Sequence, residues 1–364
     1  MSCNNFLQKS DDSCKARIVQ MQELLKEKSL DGWIIEDPLD LYYLTGLSLS
    51  LGELWISKEE VMLLVDSRYY ESVQKEFPFL SALTSDKEIE GFILRNKLLK
   101  VGFDSAKTSF EEADKLMKKE GVSVTWKPVP HMTGALRKIK DQKEILLIKK
   151  SAALLWEGYL YIKTVLKEGV SEKEVARKFE IFCLEKGADG LSFEPIIAFG
   201  ENSAFPHYRA GERRLKQGDI VLIDIGAVFQ KYCSDMTRVV FFGSPDPLLV
   251  EWLDLVIKAG QAAMLQCHAQ IPFKELDLAA RIVLKEAQVE EYFVHSLGHG
   301  IGLEVHEAPR IKFDAEGGLI KTGMVFTIEP GLYLPGRGGV RYEDMIIMTE
   351  KGPENLFPFD KAFL

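Results

Sequence analysis

VLIDIGAVFQKYCSDMTRVVFF, residues 221–242, reads as two apolar strands joined by a short turn, with one aspartate in each strand, Asp224 and Asp235. Aspartate is depleted in strands, and a buried unpaired carboxylate is costly. With a turn at Phe229 and Gln230, the two acids lie opposite each other on one face. Side chains so placed sit about 4.5–5.5 Å apart, and like charges there destabilise the pair. Something must compensate them.

A later stretch repeats the pattern. KQGDIVLIDIG (216–226) and KTGMVFTIEPG (321–331) match Lys216 to Lys321, Gly218 to Gly323, Asp224 to Glu329 and Gly226 to Gly331, a constant offset of 105. Each copy has a further acid on its next strand, Asp235 in the first and Glu343 in the second, 108 residues on. Each copy also follows two helical patterns, 144–167 and 171–187 before the first, 250–269 and 273–288 before the second. The pattern at 171 opens with Ser171 and Glu174 spaced as a capping box. The chain therefore holds two related halves, each supplying a hairpin with one acid per strand. Four facing carboxylates are untenable at neutral pH without compensation, and divalent cations are the natural compensation.

A histidine-rich stretch supplies a fifth ligand. VHSLGHGIGLEVHE (294–307) contains His295, His299 and His306, three of the six histidines of the chain. Its glycines argue against a helix and for a kinked strand or loop that lets backbone approach a crowded centre. His207, in FGENSAFPHYRAG (199–211), follows the first pair of helices at a comparable place. His131 and His268 have no such context and read as structural or surface groups. Cys233 shares strand parity with Asp235 but reads as packing.

The first part of the chain has a different texture. Residues 13–29 show helical periodicity, with Ile18, Met21, Leu24 and Leu25 on one face. A strand at GWIIED, a hairpin in LWISKEEVMLLVDS, a helix at 88–99, a strand at 100–105, a helix at 110–121 and a strand at 122–129 follow. Such alternation suggests an α/β unit. It contains no catalytic cluster, which suits a domain that shapes access or assembly. The turn-rich, charged stretch PVPHMTGALRKIKDQKE marks the boundary, giving domains at 1–131 and 132–364.

Composition narrows the classes. The net charge of −9 argues against general nucleic-acid binding. No apolar run approaches the roughly 18 residues of a membrane span. The polar start, MSCNNFLQKSDDSCKAR, has no apolar signal region, and five scattered cysteines read as reduced thiols, so a cytoplasmic location is expected.

Together these residues resemble the pita-bread metallopeptidases. IDIGAVFQKYCSDMTR, HSLGHGIGLEVHE, TIEPGLY and VRYED look like the signature segments of that family. LDLYYLTGL and LLVDSRYYESV look like the N-terminal domain of its proline-specific branch, aminopeptidase P and prolidase, and of creatinase. The resemblance runs through essentially the whole chain. It implies an α/β architecture: an N-terminal creatinase-like α/β domain, then a pita-bread catalytic domain that is α+β and internally pseudo-twofold. It implies that Asp224, Asp235, His299, Glu329 and Glu343 hold two divalent metal ions. Asp224 would bind one metal with both oxygens, Asp235 and Glu343 would bridge, and His299 and Glu329 would complete the second. Oxygen-rich ligation with one imidazole favours manganese, with cobalt, iron or zinc as other occupants.

The implied activity is hydrolysis of the bond before a proline. Glu329 would also carry the proton, and His207 and His306 would bind the substrate and the developing oxyanion. His295 would line the pocket for the residue after the cleaved bond. Arg341 would orient a substrate carboxylate or support the metal carboxylates. The resemblance further implies a homodimer acting on peptides with proline in second place. No sequence feature caps the pocket beyond proline, so the sequence favours an X-Pro aminopeptidase. The alternatives are an X-Pro dipeptidase and, in another class, a binding protein of the same fold that has lost catalysis.

Overall fold

The structure is a computed structural model and describes residues 12–76, 81–118, 123–315 and 317–364. Cys3, the last residues of the helix read over 110–121 and the first of the strand read over 122–129 lie outside them. The chain forms two compact units, the first ending at Arg137 and the second beginning at Lys138.

In the first unit a six-stranded sheet runs in the order Ser81–Leu83, Val61–Val65, Glu53–Ser57, Gly32–Ile35, Lys100–Phe103 and Thr125–Pro128. Its middle is the expected hairpin, with Leu54 opposite Leu63. The hairpin turns there because Ser57 Oγ accepts the amides of Glu59 and Glu60. The first helix, Asp12–Glu27, buries Ile18, Met21 and Leu25 as its period requires. Gln22, rather than Leu24, completes the buried face, and its Nε2 donates to the Ser57 carbonyl at 3.0 Å. Helix Pro38–Thr45 escaped the sequence reading, although Asp37 caps the amide of Asp40 at 2.9 Å and Pro38 opens the first turn. The boundary read after residue 131 moves to Arg137. Helix Met132–Arg137 belongs to the first unit because Arg137 Nη1 pairs with buried Asp40 at 3.0 Å.

The second unit contains the repeat. Helices Gln142–Val165 and Glu172–Glu185 precede strands Ile196–Phe199, Ile220–Ile225 and Met236–Phe241. Helices Pro247–Gln266 and Phe273–Glu286 precede Gly298–Gly300, Val325–Ile328 and Asp344–Thr349. Both triplets pair antiparallel in the same order. The turns that enter the two central strands also match: the amides of Asp219 and Met324 donate to Lys216 and Lys321, each at 3.1 Å. The core of the second half packs Leu253, Val256, Leu276 and Leu284 from its helices against Phe326 and Ile346 of its sheet. Each such side chain contributes roughly 1.5–3 kcal/mol when fully buried.

The register of the first hairpin differs from the expected one. Asp224 lies opposite Thr237, not Asp235. The ribbon Ala227–Phe229 with Tyr232–Cys233 turns at Gln230 and Lys231, whose φ values are 46° and 69°. Positive φ at both positions gives a two-residue turn matched to strand twist, and it moves the centre of the hairpin one residue on. Asp224 and Asp235 keep the same parity, so they still share a face as diagonal neighbours. In the second hairpin, the ribbon Gly331–Leu334 with Gly338–Arg341 continues the register of the longer strands. That register sets Glu329 opposite Glu343.

Candidate metal centre

Each candidate ligand sits at a strand end or on a distorted strand, and its amide is fixed. Glu329 N donates to Leu297 O at 2.7 Å, and Glu343 N crosses the repeat to Thr237 O at 3.1 Å. Asp235 N faces the Met345 sulfur at 3.3 Å, and His299 N donates to Thr327 Oγ1 at 3.1 Å. The glycines beside His299 have a steric reason. A Cβ on Gly298 would lie 2.0 Å from Thr327 O, and one on Gly300 2.3 Å from Ala308 O. The strand shifts register between His299 and Gly300, the kink expected from the sequence.

Asp235, His299 and Glu343 each place a ligand atom within 4.8 Å of the others. His299 Nε2 is 3.5 Å from Glu329 Oε1 and 3.7 Å from Asp235 Oδ2. Its Nδ1 faces Gly300 O at 3.1 Å, which leaves Nε2 for the acids. Two threonines steady the carboxylates. Thr237 Oγ1 donates to Glu343 Oε2 at 2.7 Å, and Thr327 Oγ1 lies 3.4 Å from Glu329 Oε1.

Arg341 is buried, and all its nitrogens are engaged. Nη2 donates to Asp224 Oδ2 at 2.5 Å, Nε to Thr237 Oγ1 at 3.0 Å and Nη1 to Tyr333 OH at 2.7 Å. This geometry matches support of the carboxylates, one of the two roles open to Arg341 from sequence. Tyr333 OH in turn lies 2.9 Å from His295 Nε2, and His295 Nδ1 lies 2.9 Å from Ser296 O. His295 is held in one orientation by this chain.

The electrostatics are those of a centre short of positive charge. Burial first, then Glu343, Asp224 and Glu329, pushes the Asp235 carboxyl well above its ordinary range. Burial and Glu343 do the same to Glu329. Burial and Asp224 push Glu343 up to about 8. Burial also raises Asp224, although Arg341 opposes it. Burial, aided by His306, lowers His299 to about 4, so its ring is neutral and able to ligate at neutral pH.

The residues present fit a metal. Asp224 Oδ1 and Asp235 Oδ1 are buried without a hydrogen-bond partner among the described residues. Such orphaned oxygens, beside two more acids and a neutral imidazole, are a donor set that cations satisfy. The repeat also explains why only one imidazole joins them. Phe199 pairs with Val221 as Gly300 pairs with Phe326, so Ala198 occupies in the first half the place of His299 in the second.

A cavity of about 990 Å³ opens over this cluster. All nine residues singled out from sequence line it: His207, Asp224, Asp235, His295, His299, His306, Glu329, Arg341 and Glu343. The rings of His299 and His306 meet edge-on, 4.4 Å between centroids. The sequence reading missed Thr237, Thr327 and Tyr333. Each lies two or four residues from a ligand on the same strand face, so period-two alternation was the available signal. It also missed Arg209, Arg310 and Lys312, which line the same cavity, and local sequence carries no signal for them. Cys233 is buried, with Sγ 3.7 Å from Leu303 O, as packing requires. No described helix is long and apolar enough to cross a membrane.

Comparison with known proteins agrees with this geometry. The profile of metallopeptidase family M24 matches residues 147–350, and that of the creatinase/prolidase N-terminal domain matches residues 17–139. The Xaa-Pro dipeptidase of Pyrococcus furiosus is 35% identical over 353 residues, which cover 96% of this chain and 100% of that one. Among solved structures, the Xaa-Pro dipeptidase from Bacillus anthracis superposes with a TM-score of 0.91 at 32% identity, covering 96% of this chain and 100% of that one. The X-Pro aminopeptidase from Thermotoga maritima superposes with a TM-score of 0.85 at 30% identity, covering 94% and 99%.

Proposed function

This chain belongs to metallopeptidase family M24, with a creatinase/prolidase N-terminal domain, and from that membership we propose that it is an X-Pro dipeptidase using two divalent metal ions. The sequence alone favoured an X-Pro aminopeptidase. Two observations favour the dipeptidase. Curated relatives that match nearly end to end are named Xaa-Pro dipeptidases. The cavity lining also carries Arg310, together with Arg209, which pairs with Glu194 at 3.5 Å, and Lys312, which pairs with Asp314 at 2.7 Å. In a dipeptide the free carboxylate lies one residue from the scissile bond, and a basic wall recognises it. In a longer peptide a neutral amide takes that place. The end-to-end match to Xaa-Pro dipeptidases carries the choice, and the basic residues of the cavity lining are its counterpart in the structure.

Asp224, Asp235, His299, Glu329 and Glu343 would hold the metals, manganese being the occupant that best suits their chemistry. When bound, the metals supply an activated water and polarise the scissile carbonyl. The chain does the rest. Arg341 holds Asp224 in place, and Thr237 and Thr327 orient Glu343 and Glu329. The Glu329 carboxylate takes the proton released by water and delivers it to the proline nitrogen, which must be protonated to leave. His207 and His306 donate to the carbonyl oxygen as negative charge develops there. His295, fixed by Tyr333, forms the wall against the proline ring.

A cytoplasmic homodimer belongs to the same reading. The described cysteines Cys183, Cys233 and Cys267 are buried and free, in keeping with a reducing compartment. The decisive assay offers manganese-loaded enzyme X-Pro dipeptides and X-Pro-Y tripeptides. Cleavage of the dipeptides with tripeptides left intact supports the proposal. Efficient cleavage of tripeptides returns the reading to aminopeptidase.

A further inference from the structure

Glu172 has no part in the metal centre, yet it is fully buried. It opens helix Glu172–Glu185, where the helix dipole favours an anion. Its carboxylate accepts four hydrogen bonds, all from one segment. Oε1 takes the amide of Phe199 at 2.8 Å and Asn202 Nδ2 at 2.9 Å. Oε2 takes Tyr208 OH at 2.8 Å and the amide of Gly211 at 3.0 Å. Asn202 Nδ2 also donates to Tyr208 OH at 2.7 Å, closing the network. Both ends and the middle of residues 199–211 thus converge on one side chain.

That segment carries His207. The His207 ring is exposed on the cavity wall and makes no hydrogen bond among the described residues, so the backbone around it sets its aim. A second tie joins the segment to the Arg341 strand, where Gly339 N donates to Ser203 Oγ at 2.8 Å. Tyr208, the neighbour of His207, is held by Glu172 at 2.8 Å and by Asn202 at 2.7 Å, and Asn202 is itself held by Glu172.

We propose that Glu172 is a positioning residue for the reaction, fixing the segment that aims His207 into the cavity. The proposal rests on the reading of His207 as a group that touches substrate. All four partners of Glu172 are donors, so glutamine would set its amide group against two of them. Tyr208→Phe removes the hydroxyl, and with it the bonds to Glu172 and Asn202, and keeps the ring.

The test measures kcat, KM, metal content and thermal midpoint of manganese-loaded Glu172→Gln, Tyr208→Phe and His207→Ala, singly and combined. A crystal structure of Tyr208→Phe accompanies them. Misplacing a reacting group by about 1 Å costs on the order of 10²-fold. Glu172→Gln is therefore expected to lose about 10²-fold in kcat and Tyr208→Phe about tenfold, with metal content and KM little changed. Neither change should lower kcat further once His207 is alanine, because both act through that ring. In the crystal the His207 ring should leave its place. Full additivity with His207→Ala, or an unmoved ring in Tyr208→Phe, overturns the proposal. Where Glu172→Gln does not fold, the Tyr208→Phe cycle decides alone. Parental kcat in His207→Ala would sink the reading of His207 itself, and the position of the ring would still decide what Glu172 does.

Discussion

Arg341 Nη2 lies 2.5 Å from Asp224 Oδ2, and this pair joins the two halves of the repeat. Arg341 comes from the second hairpin and Asp224 from the first. The guanidinium also holds Thr237 and Tyr333, so one cation organises both halves of the centre. A buried ion pair is no guarantee of stability, but removing one partner strands the other.

Replacing Arg341 with methionine is therefore expected to destabilise the protein by about 3–5 kcal/mol. Metal occupancy should fall as well, because Asp224 loses the group that orients it. Denaturant unfolding and elemental analysis check the two effects. Arg341→Lys keeps the charge and loses the fork, so it should recover stability only in part. Native stability in Arg341→Met would show that the pair is incidental.

Thr237 bridges Arg341 and Glu343 through one hydroxyl. Thr237→Val keeps the shape and leaves two buried polar groups unsatisfied, at a cost of about 1–3 kcal/mol. Groups that support metal ligands typically change metal affinity about 10- to 100-fold. Titration of the apoprotein with manganese should show a weakening in that range. Unchanged affinity would limit Thr237 to a structural role.

Glu329→Gln removes both a proposed ligand and the proposed proton carrier. Loss of general acid–base catalysis typically costs about 10²- to 10⁴-fold. Turnover should fall at least that far even where metal is retained. Near-parental kcat at measured metal occupancy would reject Glu329 as the proton carrier.

Chelation should abolish peptidase activity, and manganese or cobalt should restore it. The apoprotein offers a second readout, through pH. Raised carboxyl pKa values mean that the folded apoprotein keeps protons that the unfolded chain has lost, so its stability falls as pH rises. Lowered histidine pKa values act the other way, but only below the ordinary histidine value of 6.5. Between about 6.5 and the Glu343 value of about 8 only the carboxyl effect remains. Apoprotein melting temperature should drop across that window, and metal should raise it most at the upper end. An apoprotein melting point that rises from pH 6.5 to 8 would contradict the assigned electrostatics.

Arg310→Ala should raise KM for X-Pro dipeptides while leaving kcat nearly unchanged, because a substrate carboxylate is bound equally in ground and transition states. Tripeptides should gain relative to dipeptides. A variant with unchanged KM would remove Arg310 from the proposed carboxylate wall.

The five candidate ligands, which line one cavity, were legible from sequence because most of their signals are local. Strand alternation and the glycines around His299 are visible within short windows, and the repeat that preserves the acids at Asp224, Asp235, Glu329 and Glu343 shows when two such windows are compared. Most helices and strands followed from the same periodicities, but the short helices Pro38–Thr45, Ser67–Glu76 and Met132–Arg137 did not. The first hairpin register was misjudged because positive φ at Gln230 and Lys231 is a backbone choice that neither side chain announces.

Only the tertiary structure decided the partnerships. Arg341 reaches Asp224 across 117 residues, and Arg238 Nη1 donates to Glu343 O across 105. Glu172 gathers donors from as far as Gly211, 39 residues on. Local patterning specifies which face of a strand or helix is buried. Which buried polar groups meet depends on how the two halves pack, and in a low-dielectric interior that meeting determines which charges can exist at all. The chain thus announced its candidate ligands in its own sequence pattern, whereas the groups that hold and aim them became visible only when residues distant in sequence were brought together.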